Sequence, residues 1–294
     1  MEPMQHALGN VITAMITPFT EDGALDIDGT ARLASHLVDI GNDGLVVNGT
    51  TGEAPTTTDQ EKALAVRAVR EAVGDRARVI AGVGTNDTAH SVELARQAEA
   101  AGAHGLLAVT PYYNKPPQEG ILQHFRTVAD ATALPVMLYD IPGRSAAEIA
   151  TSTLIRLAEH PRIVAVKDAK GDLAASARVL AATDLLWYSG DDVLNLPLLS
   201  LGATGFVSVS GHFVAPALRA MREAFVAGDV ATARKLHFAT LPTTDAIFVT
   251  QAAISVKGTL NRQGLPAGPV RSPLIPATPA QIDGVIAALE ASSG

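Results

Sequence analysis

The sequence predicts an α/β fold, a (β/α)8 TIM barrel followed by a C-terminal helical extension. Three observations carry that prediction. Eight short apolar runs recur along the 294 residues. Stretches with the 3.6-residue period of amphipathic helices lie between them. The runs are near-continuously apolar rather than alternating, as parallel strands covered by helices require.

The runs fall near 11–16, 44–48, 78–82, 105–109, 135–139, 163–167, 185–188 and 204–208. Helical patterns separate them, for example at 59–73, 88–101, 118–132 and 173–181. Gly102-Ala103-His104-Gly105 and Leu201-Gly202-Ala203-Thr204-Gly205 each show a glycine ending a helix shortly before a strand. Further helical patterns follow at 214–226, 229–240, 244–259 and 279–291. The last three exceed what eight strand–helix units need. The division expected is therefore a catalytic barrel over 1–228 and a helical extension over 229–294. The Pro- and Gly-rich stretch 264–279 reads as a loop inside that extension. The uncharged stretch 193–217 contains Asn195, Pro197, Gly202, Gly205, Gly211 and His212, so it reads as a buried strand with its flanks rather than a lipid-facing helix.

Composition narrows the function. A net charge of −8 without a basic block argues against a nucleic-acid partner. The absence of cysteine removes disulfides, thiolate metal sites and a cysteine nucleophile, and fits a cytoplasmic protein. Residues 1–10 lack the charged-then-apolar layout of a signal peptide, and no membrane association is expected. Gly82-Val83-Gly84 lacks the third glycine of a dinucleotide fingerprint, and no glycine-rich loop carries a phosphate-binding lysine. The eight histidines show no metal-ligand spacing. No cofactor and no metal are expected.

In a TIM barrel the active site lies at the C-terminal strand ends, so those ends are where chemistry should be sought. Lys167 closes the run Ile163-Val164-Ala165-Val166. A lone strand-end lysine more often reaches solvent, because lysine is rarely buried. Strand alternation, however, puts Ala165 and Ile163 on its face and the two valines opposite, which suits a lysine pointing into the barrel. Burial disfavours the ammonium, and a neutral amine forms Schiff bases with carbonyls. Tyr139 ends the preceding strand on the face of Met137 and Pro135. It could relay protons there, or simply fill the barrel with its ring. Gly49-Thr50-Thr51-Gly52-Glu53 follows the second strand. It could cradle a carboxylate with hydroxyls and amides, or merely cap the next helix. Tyr112-Tyr113 sits in a proline-rich projection suited to closing over a site or packing on a neighbouring subunit. Arg144 could bind a carboxylate bidentately, though an isolated arginine is more often a surface ion pair.

Gly49–Glu53, Tyr112-Tyr113, Tyr139 with Pro142-Gly143-Arg144, Lys167-Asp168-Ala169 and Ser189-Gly190-Asp191-Asp192 come in this order at matching barrel positions. Together they resemble the dihydrodipicolinate synthase family, particularly its actinobacterial members, within the pyruvate-dependent class I aldolases that include N-acetylneuraminate lyase. The likeness covers nearly the whole chain. It implies a lyase that condenses pyruvate with L-aspartate 4-semialdehyde in diaminopimelate and lysine biosynthesis. A related pyruvate aldolase acting on sugar-derived acids is the alternative, and Arg144 speaks against it. The resemblance also implies roles. Lys167 would form the pyruvate imine, and Thr50, Tyr139 and a neighbouring subunit's Tyr113 would relay protons. Thr51 would hold the pyruvate carboxylate, and Arg144 that of the semialdehyde. Gly190 and Val207 would line the lysine pocket with backbone carbonyls. A homotetramer built from two tight dimers follows from the same likeness. Many relatives are inhibited by L-lysine. Asp59, Lys62 and His90 occupy the matching cleft here, and a cationic Lys62 should weaken or abolish that inhibition.

Overall fold

The computed structural model describes residues 8–292. Eight parallel strands close into a barrel in sequence order: β1 (Val11–Ala14), β2 (Gly44–Val47), β3 (Arg78–Gly82), β4 (Gly105–Val109), β5 (Val136–Asp140), β6 (Ile163–Asp168), β7 (Leu186–Ser189) and β8 (Gly205–Ser208). Each predicted run overlaps one of these strands, with ends that differ by no more than two residues. The connecting helices are α1 (Ile27–Asp39), α2 (Asp59–Val73), α3 (Thr88–Ala100), α4 (Gln118–Asp130), the short α5 (Pro142–Ser145), α6 (Thr151–Leu157), α7 (Leu173–Ala182), α8 (Asn195–Ser200) and α9 (Gly211–Val226). Three further helices follow: α10 (Val230–Ile247), α11 (Ala252–Arg262) and α12 (Pro279–Ser292).

Local chemistry explains the boundaries. Thr58 and Glu61 form a reciprocal capping box at the start of α2, a feature worth about 1 kcal/mol. Gly102 and Gly202 adopt φ of +87° and +104° on the way into β4 and β8, a conformation that costs glycine little. Two apolar layers result. Leu8, Ile12, Val46, Ile80, Met137, Ala165, Tyr188 and Val207 fill the barrel interior. A larger cluster, including Leu45, Val79, Leu106, Leu138 and Val166, lies between strands and helices.

Two sequence expectations need correction. Alternation along β6 is broken. Val136 pairs with Ile163 but Met137 pairs with Ala165, so the strand carries a bulge. A bulge inserts one residue and flips the face of those beyond it. Ile163 therefore faces the helices, and Val164 packs against the barrel interior, the reverse of the expected assignment. Ala165 and Lys167 keep theirs. The second correction concerns 229–240 and 244–259. Helix α10 runs unbroken through Pro242 to Ile247, and α11 starts only at Ala252. Proline removes one hydrogen bond from a helix interior, but the flanking Thr240, Thr243 and Thr244 are buried, so this part of the helix is packed against the rest of the fold. The 214–226 pattern is the regular part of α9, whose first residues precede a kink at Val214.

Candidate active site

Lys167 and Tyr139 face each other on neighbouring strands. They are direct partners in the β5–β6 register. Both are buried at about the same depth, each 5% exposed. The Lys167 ammonium lies 4.1 Å from the centre of the Tyr139 ring. No carboxylate of the described residues forms an ion pair with it; the nearest influence of that sign is the field of Asp192. Burial is the main cause that lowers Lys167 from 10.5 to about 8, with Arg144 adding to the fall and Asp192 opposing it. Burial likewise pushes the Tyr139 phenol up to about 12, while Arg144 and a hydrogen bond to the Thr50 side chain pull it down. The phenol therefore stays protonated and can give a proton, and the amine is available to attack a carbonyl.

Three loops bring the other groups in. The β2–α2 turn begins at Asn48, whose φ is +60° and whose side-chain amide donates to the Lys62 carbonyl at 3.1 Å. Its path needs Gly82 on β3, because a Cβ there would sit 2.2 Å from the Asn48 oxygen. The turn closes through the Glu53 N–H donating to the Thr50 carbonyl at 3.1 Å. It leaves Thr50 half-buried and Thr51 buried. After β5, Ser145 is anchored by its hydroxyl to the carbonyls of Ile141 and Ala147, and this holds α5 so that Arg144 stands exposed at the mouth. After β7, Gly190 lies against Lys167. A Cβ at Gly190 would come 2.8 Å from Lys167 Cγ and 3.0 Å from Cε.

A cavity of about 450 Å3 opens between these loops, lined by Thr50, Tyr139, Arg144, Val109 and Tyr112, and it extends to Asp59, Lys62 and His90. Thr50, Tyr139 and Arg144 line this cavity; Lys167 and Gly190 are not among its lining residues and adjoin it through the Tyr139 ring. Val207 lies deeper, in the barrel interior. Tyr113 is not brought in: it is 87% exposed, with φ of +73°. Sequence reasoning assigned no role to Asp192. Its carboxylate accepts from the N–H groups of Val209 and Ser210, the Ser210 hydroxyl and the Asn195 amide. It thereby ties the β7 end to the β8 end beside Lys167. Two adjacent aspartates after a strand were the only signal, and it does not say which one turns inward. At the outer end of the cavity His90 holds the Asp59 carboxylate at 3.0 Å, and the Lys62 ammonium donates to the Thr57 carbonyl.

Residues 7–292 match the Dihydrodipicolinate synthetase family. The chain belongs to that family. Among its relatives, 4-hydroxy-tetrahydrodipicolinate synthase 2 of Streptomyces coelicolor is 65% identical over 279 residues, 95% of this chain and 93% of that protein. The synthase of Mycolicibacterium paratuberculosis is 58% identical over 286 residues, 97% and 95% of the two chains. In the solved structures of the family, the enzyme of Cyanidioschyzon merolae with lysine bound has a TM-score of 0.95 at 43% identity, covering 98% of this chain and 99% of that one. A monomeric dihydrodipicolinate synthase variant has a TM-score of 0.94 at 33% identity, covering 99% and 98%. The actinobacterial likeness read from the motifs holds, since Streptomyces and Mycolicibacterium enzymes stand among these relatives. Among the described residues no helix is long and apolar enough to cross a membrane.

Proposed function

We infer that this chain is a lyase that condenses pyruvate with L-aspartate 4-semialdehyde to 4-hydroxy-tetrahydrodipicolinate, in the route to diaminopimelate and lysine. The observation that carries the chemistry is the Lys167 amine, buried, without an ion-pair partner among the described residues and 4.1 Å from the Tyr139 ring. At pH 7 a group with a pKa of about 8 is neutral in about one molecule in ten, against about one in three thousand at 10.5. Burial thus raises the population of nucleophile by more than two orders of magnitude.

In this reading the Lys167 amine attacks the ketone carbon of pyruvate. Loss of water gives an imine, and loss of a methyl proton gives an enamine. The enamine carbon attacks the semialdehyde carbonyl, and the substrate's own amine then displaces Lys167 as the ring closes. No external cofactor takes part, because the protonated imine is the electron sink. Tyr139 and Thr50 move the protons, Thr51 receives the pyruvate carboxylate, and Arg144 at the mouth receives that of the semialdehyde. Gly190 and Val207 line the lysine pocket. Tyr113, exposed on its projecting loop, completes the relay of a neighbouring subunit in a homotetramer of two tight dimers. The chain's division into a barrel over 1–228 and an extension over 229–294, and its cytoplasmic location, belong to the same reading.

The outer end of the cavity suits lysine poorly. The Asp59 carboxylate is already held by His90, and Lys62 adds a like charge. Inhibition by sub-millimolar L-lysine is expected to be weak or absent in a steady-state assay. The function itself is tested by pyruvate consumption with purified protein. Turnover with aspartate semialdehyde and little with sugar-derived aldehydes is the expected result. The reverse preference would replace this function with that of a sugar-acid aldolase.

A further inference from the structure

A second buried charge cluster lies next to the substrate turn and is not used by the mechanism. Glu53 ends the Thr50–Glu53 turn with φ of +55°, a left-handed conformation that disfavours a residue with a Cβ. Something must hold it there. Its carboxylate is buried and forms an ion pair with Lys257 of α11 at 2.6 Å. The other carboxylate oxygen accepts the Arg271 N–H at 2.8 Å. Lys257 also donates to the Pro269 carbonyl at 2.8 Å. Phe19 packs between the two cations, 4.0 Å from the Lys257 ammonium and 4.0 Å from the Arg271 guanidinium. That guanidinium reaches on to the carbonyls of Gly23 and Thr56 and to both oxygens of Glu61 in the first turn of α2. On the other side of the turn, the Thr17 hydroxyl donates to the Gly52 carbonyl at 2.7 Å.

The turn that carries Thr50 and Thr51 is thus clamped at its last residue by groups more than two hundred positions further along the chain. A fold that needed only to attach its C-terminal helices could do so with apolar contacts, which are often as stabilising as a buried ion pair. Directional bonds to one carboxylate do something apolar contacts cannot: they fix where that residue sits, and with it the two hydroxyls three and two residues before it. We propose that Glu53 is a positioning residue, and that Lys257 and the Arg271 backbone form the clamp by which the C-terminal segment sets the geometry of the Thr50-Thr51 turn. This proposal rests on the reading of that turn as the pyruvate carboxylate site.

The test uses steady-state kinetics and thermal unfolding of Thr51→Val, Glu53→Gln and the double variant Glu53→Gln/Lys257→Met. Thr51→Val examines the turn directly, and its pyruvate KM is expected to rise. Glu53→Gln keeps the shape but loses the ionic clamp. Its pyruvate KM is expected to rise by on the order of tenfold or more with a fall in kcat, as a displaced positioning group produces. The double variant removes the stranded buried ammonium, so it is expected to regain thermal stability but not the wild-type KM. If Glu53→Gln does not fold, the double variant carries the comparison alone. A raised KM in Thr51→Val with a wild-type KM in the folded Glu53 variants overturns the clamp and leaves the turn's role standing. A wild-type KM in Thr51→Val overturns both.

Discussion

Lys167 and Lys257 are both buried, and burial is the main cause that brings each from 10.5 to about 8. They differ in what meets the amine. Lys257 faces a carboxylate at 2.6 Å, a carbonyl at 2.8 Å and an aromatic ring at 4.0 Å. Lys167 faces an aromatic ring at 4.1 Å and a glycine that leaves it room, and it lies in the field of Arg144. Burial alone therefore does not make a lysine reactive. A buried ammonium held by a carboxylate and a carbonyl is a structural tie, whereas one without such partners has its lone pair free for a substrate once the proton leaves.

The contrast breaks most visibly in activity. Lys167→Met should lower turnover by at least a thousandfold, about 4 kcal/mol, because no other group can form the imine. Lys257→Met should retain trapping of pyruvate on Lys167 in whatever protein folds, as judged by intact mass after reduction. The two substitutions should also move thermal stability in opposite directions. Lys257→Met strands the Glu53 carboxylate, a loss of about 3–5 kcal/mol and a melting temperature lower by roughly 6 °C or more. Lys167→Met removes a buried ammonium that has no ion-pair partner among the described residues. Its folded pKa of about 8 lies below the unfolded value, so the unfolded state binds more protons between about 8 and 10.5 and stability rises with pH there. The cost is present in full below about 8, where the methionine variant should be more stable by about 3 kcal/mol, and it disappears above about 10.5. Melting curves at pH 7 and pH 10.5 check both signs.

Smaller changes sharpen the same point. Gly190→Ala places a methyl 2.8 Å from Lys167 Cγ, and kcat should fall by about tenfold or more as the amine is displaced. Arg144→Gln should shift the pH profile. The rate at limiting pyruvate should rise as Lys167 loses its proton, with a limb near pH 8. Arg144 lowers that pKa, so its removal should move the limb upward. A limb that stays in place would separate Arg144 from Lys167.

Lys167 was legible in the sequence and Lys257 was not. Lys167 ends an apolar strand, where a period of two and the barrel rule together say which way it points. Even there the local reading was imperfect, because the bulge at Ile163 and Val164 has no signal in a run of four apolar residues. Lys257 lies on a helix, where a lysine ordinarily faces water, and the groups that bury it, Glu53 and Phe19, are more than two hundred residues away in the chain. Its helix was also misjudged at its start, since the pattern read over 244–259 begins inside α10, which continues to Ile247. The strand order, the Lys167–Tyr139 pair and the Thr50 turn were readable because each is set by neighbours in sequence or by adjacent strands. The clamp on Glu53 is set by the return of the C-terminal segment, which no local pattern encodes.

The central claim is that, of two buried lysines with similarly lowered pKa, only the one lacking a carboxylate partner is the nucleophile. Borohydride reduction in the presence of pyruvate, followed by peptide mass mapping, tests it directly. The expected result is one reduced pyruvyl adduct per chain, on the peptide carrying Lys167, with the Lys257 peptide unmodified. An adduct on Lys257, or an unmodified Lys167 peptide under conditions of full turnover, would contradict it.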